Sequence, residues 1–234
     1  MMNDVILDLI FPPRCAVCDD ILLFGKKYIC QKCKKKIVYI KEPVCLKCGK
    51  ELSEDKEYCN DCLTKNHLYI QGKAVFDYGS IAGSLHRFKN KNRPEYSKYY
   101  AKMIYLKKKD WIMQIHPDAF IPVPIHESKY KIRGYNQSEL ISKELSKLTK
   151  IPTIKNFIIR TKKTVPLKNL NLSERQKNLK KAFKVARNDV KLKTIVIIDD
   201  IYTSGSTIDE ISRSVLKVMD CKIYFLSLTI GRGI

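Results

Sequence analysis

Apolar residues in the second part of the chain fall into two alternating periods. Ala74–Tyr78 and Ala119–Val123 read as short strands, and Ile195–Ile198 is an unbroken β-branched run of the kind buried on both faces of a sheet. Lys222–Thr229 predicts a last strand. Between these runs the spacing lengthens. In 206–219 the apolar residues Ile208, Ile211, Val215, Leu216 and Met219 recur at helical intervals, and Leu140, Ile141, Leu145 and Leu148 do so in 137–148. Alternating strands and helices predict an α/β fold, a mostly parallel sheet with helices on both faces. Residues 160–187 break the pattern, with 10 Lys+Arg against the single acid Glu174 and no clear period. An exposed loop and helix are predicted there, with Phe157 and Phe183 as the core positions.

The first 66 residues follow a different rule. Eight of the nine cysteines stand there in four identical pairs, Cys15/Cys18, Cys30/Cys33, Cys45/Cys48 and Cys59/Cys62. This regularity is an internal repeat, two cysteine hairpins per unit. A Cys-x-x-Cys turn brings two sulfurs to one tetrahedral ion, and two turns close a site, so the natural count is two structural Zn2+ ions with no ligand position left for water. Redox chemistry is the alternative, but four tandem copies lack a thioredoxin-like surround. Sequential pairing, Cys15, Cys18, Cys30 and Cys33, then Cys45, Cys48, Cys59 and Cys62, closes shorter loops than a cross-braced arrangement. Gly49 suits the tight turn after Cys48, and the lone Cys221 reads as a small buried hydrophobe. The expected division is a double zinc ribbon over 1–66 and an α/β domain over 67–234.

Composition narrows the class. With 44% hydrophobic residues in 234 the chain can bury a core, which excludes wholesale disorder. No stretch approaches the roughly 18 apolar residues of a membrane span. The apolar run Val5–Phe11 is short, contains Asp8 and lacks a basic leader, so it does not read as a signal peptide. The expected compartment is cytoplasmic, where thiols stay reduced and bind metal. The formal net charge of +21 is unevenly spread. Residues 1–66 hold 12 basic and 10 acidic residues, while 129–193 hold 19 basic and 4 acidic, a formal +15. Solvated lysine faces account for such a charge as well as an anionic partner does.

The strongest chemical signal lies at the end of the central apolar run: Asp199-Asp200-Ile-Tyr-Thr203-Ser204-Gly205-Ser206-Thr207, followed by the amphipathic helix. Ligands of open α/β sheets bind at this carboxyl edge. Backbone amides of Thr203–Thr207 at a helix N-terminus form a nest for phosphate, with Gly205 allowing close approach. Capping alone would need one such hydroxyl rather than the whole order. Carboxylates repel phosphate, so Asp199 and Asp200, the candidate catalytic pair, must address something else. A sugar diol fits acceptor-only oxygens. No Gly-Lys-Ser/Thr follows, so nucleotide hydrolysis has no support.

This run resembles the phosphoribosyl pyrophosphate (PRPP) signature of type I phosphoribosyltransferases. Four cysteine pairs ahead of it make the chain similar to the ComF/GntX family of competence-associated, phosphoribosyltransferase-like proteins. Phe11-Pro12-Pro13-x-Cys15, Tyr78-Gly79 with Leu85-His86-Arg87-Phe88-Lys89, and Ile121–His126 with Arg133-Gly134-Tyr135-Asn136-Gln137 resemble further blocks of that family. The resemblance implies a pyrophosphate loop at Pro122–Ser128, with His126 and Arg133 meeting a diphosphate, and Mg2+ bound together with PRPP. Asn136 serves equally as a helix cap. Arg160–Asn178 falls where related transferases keep a catalytic loop, and Leu167 stands where the family usually has Gln. The resemblance also implies single-stranded DNA and a competence-type helicase as partners. The basic residues Arg160, Lys162, Lys163, Lys168 and Arg175 are the candidates for DNA contact. Two other functions stay open on these residues: an active phosphoribosyltransferase of unnamed acceptor, and a zinc-ribbon module that docks the helicase.

Overall fold

A computed structural model describes residues 12–22, 28–53, 56–162, 179–186 and 189–231. Phe11, Lys163, Leu167, Lys168 and Arg175, for which the sequence carries expectations, lie outside the described residues, as does the run Val5–Phe11. Within them, α1 (Gln31–Lys36) and α2 (Asn60–Thr64) are single turns of the cysteine-rich part. The remainder runs β1 (Gln71–Asp77), α3 (Tyr78–Asn90), α4 (Tyr96–Ile115), β2 (Ala119–Pro122), α5 (Glu127–Arg133), α6 (Gln137–Thr149), β3 (Ile158–Arg160), β4 (Phe183–Val185), β5 (Thr194–Tyr202), α7 (Ser206–Leu216) and β6 (Lys222–Ile230).

Four strands form one parallel sheet in the order β1-β6-β5-β2. The central run Ile195–Ile198 is buried along its whole length, as expected of an inner strand. Its side chains alternate between faces with period two. Val196 and Ile198 join Ile81, Leu85, Tyr100, Ile104, Ile141 and Leu145 under α3, α4 and α6. Ile195 and Ile197 join Phe225 and the α7 residues Ile208, Ile211 and Val215 on the other face. Cys45, Cys48 and Cys59 belong to that second core. The second cysteine cluster therefore shares its packing with the sheet.

Two elements depart from the sequence reading. The 20-residue helix α4 shows little aliphatic stripe because most of its buried face is Tyr96, Ser97, Tyr99, Tyr100 and Ala101, with Ile104 and Ile112 as the aliphatic members. The region 160–187, expected as exposed loop and helix, instead closes at both described ends in an antiparallel pair, Ile158–Arg160 against Phe183–Val185. Leu179, Ala182, Phe183 and Val185 are buried there, and so is Phe157. Strands of three residues have too few inward positions to leave a period in a lysine-rich run.

Caps follow the sequence closely. Asp77 accepts from the amide of Ser80 at the start of α3, and Asn136 from the amide of Ser138 at the start of α6. Gly134, at φ 77°, ends α5. The cysteine turn at 16–19 is held to α3 and α4. Asp19 accepts from Arg93 Nε at 2.7 Å and Nη2 at 2.9 Å, and from the Tyr96 hydroxyl at 2.5 Å. Arg87 donates to the Val17 carbonyl and Ser84 to that of Ala16.

Candidate functional site

The eight paired cysteines gather into two groups, Cys15, Cys18, Cys30 and Cys33, and Cys45, Cys48, Cys59 and Cys62, each with its four sulfurs within 4.8 Å of one another. Pairing is sequential. Cys18 Sγ lies 3.9 Å from Cys30 Sγ, and Cys48 Sγ 3.7 Å from Cys59 Sγ. A tetrahedral ion with Zn–S bonds of about 2.3 Å sets its sulfurs roughly 3.8 Å apart, so the donor set fits zinc. Sulfur hydrogen bonds within the second group pull the Cys45 thiol down and push Cys48 up, since one cluster cannot hold four bare thiolates without a cation. Gly49, at φ 76°, lets the turn after Cys48 press on the backbone of Gly72 in β1. Cys221 is buried in the second core and is a member of neither four-cysteine group.

The sheet opens at its carboxyl edge into a cavity of about 940 Å³. Asp199 and Asp200 line it from β5, which continues through Ile201 and Tyr202 before turning. Asp199 Oδ1 accepts from the amide of Asp200 at 2.8 Å. Burial, and then the charge of Asp200, pushes the Asp199 carboxyl up to about 7. Asp200 Oδ2 lies 2.8 Å from the ammonium of Lys89 at the end of α3. Lys129, Arg133 and Arg160 line the same cavity. Burial lowers the pKa of Lys129 and Arg160, so water is already partly stripped from both cations.

Thr203, Gly205 and Thr207 form the loop wall. Gly205 is the N-cap of α7 at φ 78°, and no side chain caps that helix. Among the described residues, no backbone or side-chain acceptor takes the amides of Thr203–Thr207. The loop hydroxyls are thus not consumed by capping. Ser204 and Ser206 sit behind the wall, their hydroxyls 2.9 Å apart. Beneath Gly205 lie the His67 ring and the Tyr202 hydroxyl. His67 Nδ1 is 2.8 Å from Asp209 Oδ2 in α7, and the amide of Leu68 donates to Asp209 Oδ1. Tyr69 and Tyr202 share a hydroxyl contact of 2.6 Å. The segment just after the second cysteine group therefore floors the loop.

Of the site residues expected from sequence, Asp199, Asp200, Thr203, Gly205, Thr207 and Arg133 meet at the cavity, with Ser204 and Ser206 in support. Arg133 also donates to Gln137 Oε1 at 2.9 Å. His126 is the N-cap of α5, its Nδ1 accepting from the amide of Ser128, and it stands between the cavity-lining residues Ile125 and Lys129. Asn136 caps α6 and donates to the Val123 carbonyl. Arg160, expected on a DNA-binding surface, lies in the cavity wall, while Lys162 points outside and donates to the Lys180 carbonyl. Lys89, Lys129 and His67 were not foreseen as site residues. Lys89 belongs to the run Leu85–Lys89 that resembles the family, but only the packing of α3 shows which of its basic residues turns inward.

A hydroxyl-rich loop and an acidic pair at the edge of a parallel sheet, joined to two four-cysteine sites, define an α/β protein carrying a double zinc ribbon. The family model for a double zinc ribbon domain matches residues 6–63. The chain is 32% identical over 212 residues to competence protein F of Haemophilus influenzae, covering 88% of this chain and 91% of that protein. It is 28% identical to DNA utilization protein YhgH of Escherichia coli, covering 89% and 93%, and 24% identical to competence protein ComFC of Bacillus subtilis, covering 68% and 66%. The chain belongs to the competence protein F family. Among solved structures, an adenine phosphoribosyltransferase from Leishmania donovani is similar at 12% identity, with 86% of this chain and 78% of that chain covered and a TM-score of 0.35. That overlap is too loose to define the fold, which rests on the strand order. No helix among the described residues is long and apolar enough to cross a membrane.

Proposed function

We propose that this protein handles incoming single-stranded DNA during competence, and that its α/β part binds PRPP or a related phosphosugar in the cavity at the end of β5. The carrying observation is the pairing of the Thr203–Thr207 amides, which no acceptor among the described residues takes, with carboxylates at Asp199 and Asp200 at one cavity. The amides and the α7 dipole favour a 5-phosphate. The carboxylates accept from the sugar hydroxyls. Arg133, Lys129 and Arg160 would hold a second, diphosphate group, and Mg2+ bound with that group would supply further neutralisation of its charge.

Names of the relatives support the DNA side of this reading, as does the formal +15 over 129–193. Arg160 connects the two ligands in space: it lines the cavity, and Lys162 stands two residues further out. A competence helicase docks on the zinc ribbon in this scheme, where Leu46, Tyr58 and Leu63 are exposed.

Titration with PRPP·Mg2+ and with labelled single-stranded DNA, separately and together, tests the proposal. Each ligand is expected to bind and to weaken the other. DNA affinity should fall steeply with salt and survive Asp199→Ala. Silence toward either ligand contradicts the proposal. Release of pyrophosphate would establish turnover, which an acceptor in the apolar part of the cavity would complete.

Asp199 adds a pH signature. Its folded pKa lies above the usual carboxylate range, so the native state keeps a proton that the unfolded chain releases. Stability therefore falls as pH rises from that range to about 7. The ionised carboxylate is the better acceptor, so phosphosugar affinity should climb through the same window. Calorimetric titration at several pH values checks this. Asp199→Asn should flatten the climb, leaving only the smaller contribution of the ligand phosphate itself.

A further inference from the structure

Lys89 ends helix α3, and its ammonium contacts Asp200 inside the cavity, with 22% of the Lys89 side chain and 13% of the Asp200 side chain exposed. The neighbouring acid is also engaged, since Asp199 Oδ1 takes the Asp200 amide. Arg87, two residues earlier on the same helix, turns away to the Val17 carbonyl, so α3 is anchored from the opposite side. The Lys89 ammonium is thus carried on a braced helix end rather than on a free surface stem. A hard divalent cation seeks about six oxygen ligands in strict geometry. At this acidic pair one oxygen is held by an ammonium and another by a backbone amide.

We infer that Lys89 is the resident counter-ion of the Asp199–Asp200 pair, standing where a carboxylate-held divalent cation would otherwise sit. The inference rests on the reading of the cavity as a phosphosugar pocket and specifies its ligand. A pentose 5-phosphate enters without a protein-held metal, its hydroxyls sharing Asp200 with the ammonium. Any divalent ion that arrives with a diphosphate stays on the phosphate oxygens, on the side of Arg133 and Lys129. Lys89 is in this sense a specificity residue: it sets the charge of the sugar subsite and makes it independent of metal.

Two readouts on the zinc-loaded full chain test this, in buffer freed of divalent ions by resin so that the ribbons keep their zinc. In the first, Mn2+ is titrated and its free electron-spin-resonance signal followed. The wild type should leave that signal unchanged, Lys89→Met should take up one Mn2+, and adding Asp200→Asn to Lys89→Met should abolish the uptake. In the second, ribose 5-phosphate is titrated calorimetrically. Wild-type affinity should be the same with and without Mg2+, and Lys89→Met should lose about tenfold or more without Mg2+ and recover part of it with the ion. Mn2+ uptake by the wild type that Asp200→Asn removes would overturn the inference, whatever the variants do. So would a wild type that binds ribose 5-phosphate only with Mg2+, or a folded Lys89→Met that gains no Mn2+. If ribose 5-phosphate binds nowhere, the pocket reading fails, while the Mn2+ readout still decides on Lys89.

Discussion

Replacing Cys48 by serine is expected to unfold far more than the zinc ribbon. Cys48 is 1% exposed and shares a core with Tyr69, Ile195, Ile197 and Phe225 of the sheet region. Zinc binding at a closed four-cysteine site is folding free energy, and loss of one ligand forfeits much of it. The turn that Cys48 anchors also presses Gly49 against Gly72 of β1. A cost of ~3–5 kcal/mol is expected, a large share of the 5–15 kcal/mol typical of a folded domain. Cys18→Ser should cost less, because the first group's sulfurs pack in a small cluster with Leu22, and its turn is also held to α3 and α4 by contacts that need no metal, those of Asp19 with Arg93 and of Arg87 with Val17. Thermal unfolding followed by circular dichroism, with zinc counted per chain, checks the contrast. Both variants should fall from two ions to one, but only Cys48→Ser should take the sheet with it. Equal losses of melting temperature would show that the second ribbon is no more integral than the first.

Gly205→Val should abolish phosphosugar binding while the rest of the sheet stays folded. The residue stands at φ 78°, a conformation that glycine adopts freely and a β-branched side chain does not. An added Cβ would also lie 2.7 Å from both His67 Cε1 and the Tyr202 hydroxyl. Neither neighbour yields readily. His67 is tied to Asp209, and the Tyr202 ring stacks on Phe225 at 4.6 Å with its hydroxyl on Tyr69. The loop must therefore open, which scatters the amides of Thr203–Thr207. Strain and overpacking each cost about 1–3 kcal/mol, so affinity should drop at least ~100-fold. Calorimetry with PRPP·Mg2+ reads the loss. Gly205→Ala should fall between the two, because it meets the same clash with a smaller side chain. Undiminished binding by Gly205→Val would remove the loop from the site.

How much of this was legible in the sequence depends on where the signal lives. The cysteine pairs encode a metal partner and a count of two sites in their spacing, while the choice of sequential over cross-braced pairing rests on loop length alone and is settled by the packing. Strand β5 and helix α7 were equally clear, because an unbroken β-branched run and a strong helical period leave little alternative. Helix α4 was hidden because tyrosines do the work of aliphatic residues on its inner face. The pair β3 and β4 was hidden by brevity. Within the site, Asp199, Asp200 and the loop lie on one contiguous run and could be named as a unit. Lys89 and His67 come from distant segments, and their roles depend on helix α3 and the post-ribbon segment folding back onto β5 and α7. His126 shows another limit: the motif resemblance names a diphosphate partner and is silent on the cap that its Nδ1 makes with the amide of Ser128.

The bend after β5 is the place where a sugar phosphate must be held. A crystal structure of the protein with ribose 5-phosphate addresses it most directly. The phosphate is predicted within hydrogen-bonding distance of the amides of Thr203–Thr207, with the sugar hydroxyls on Asp199 and Asp200. A sugar phosphate bound elsewhere, or one whose phosphate faces the cations while those amides stay unmet, would contradict it.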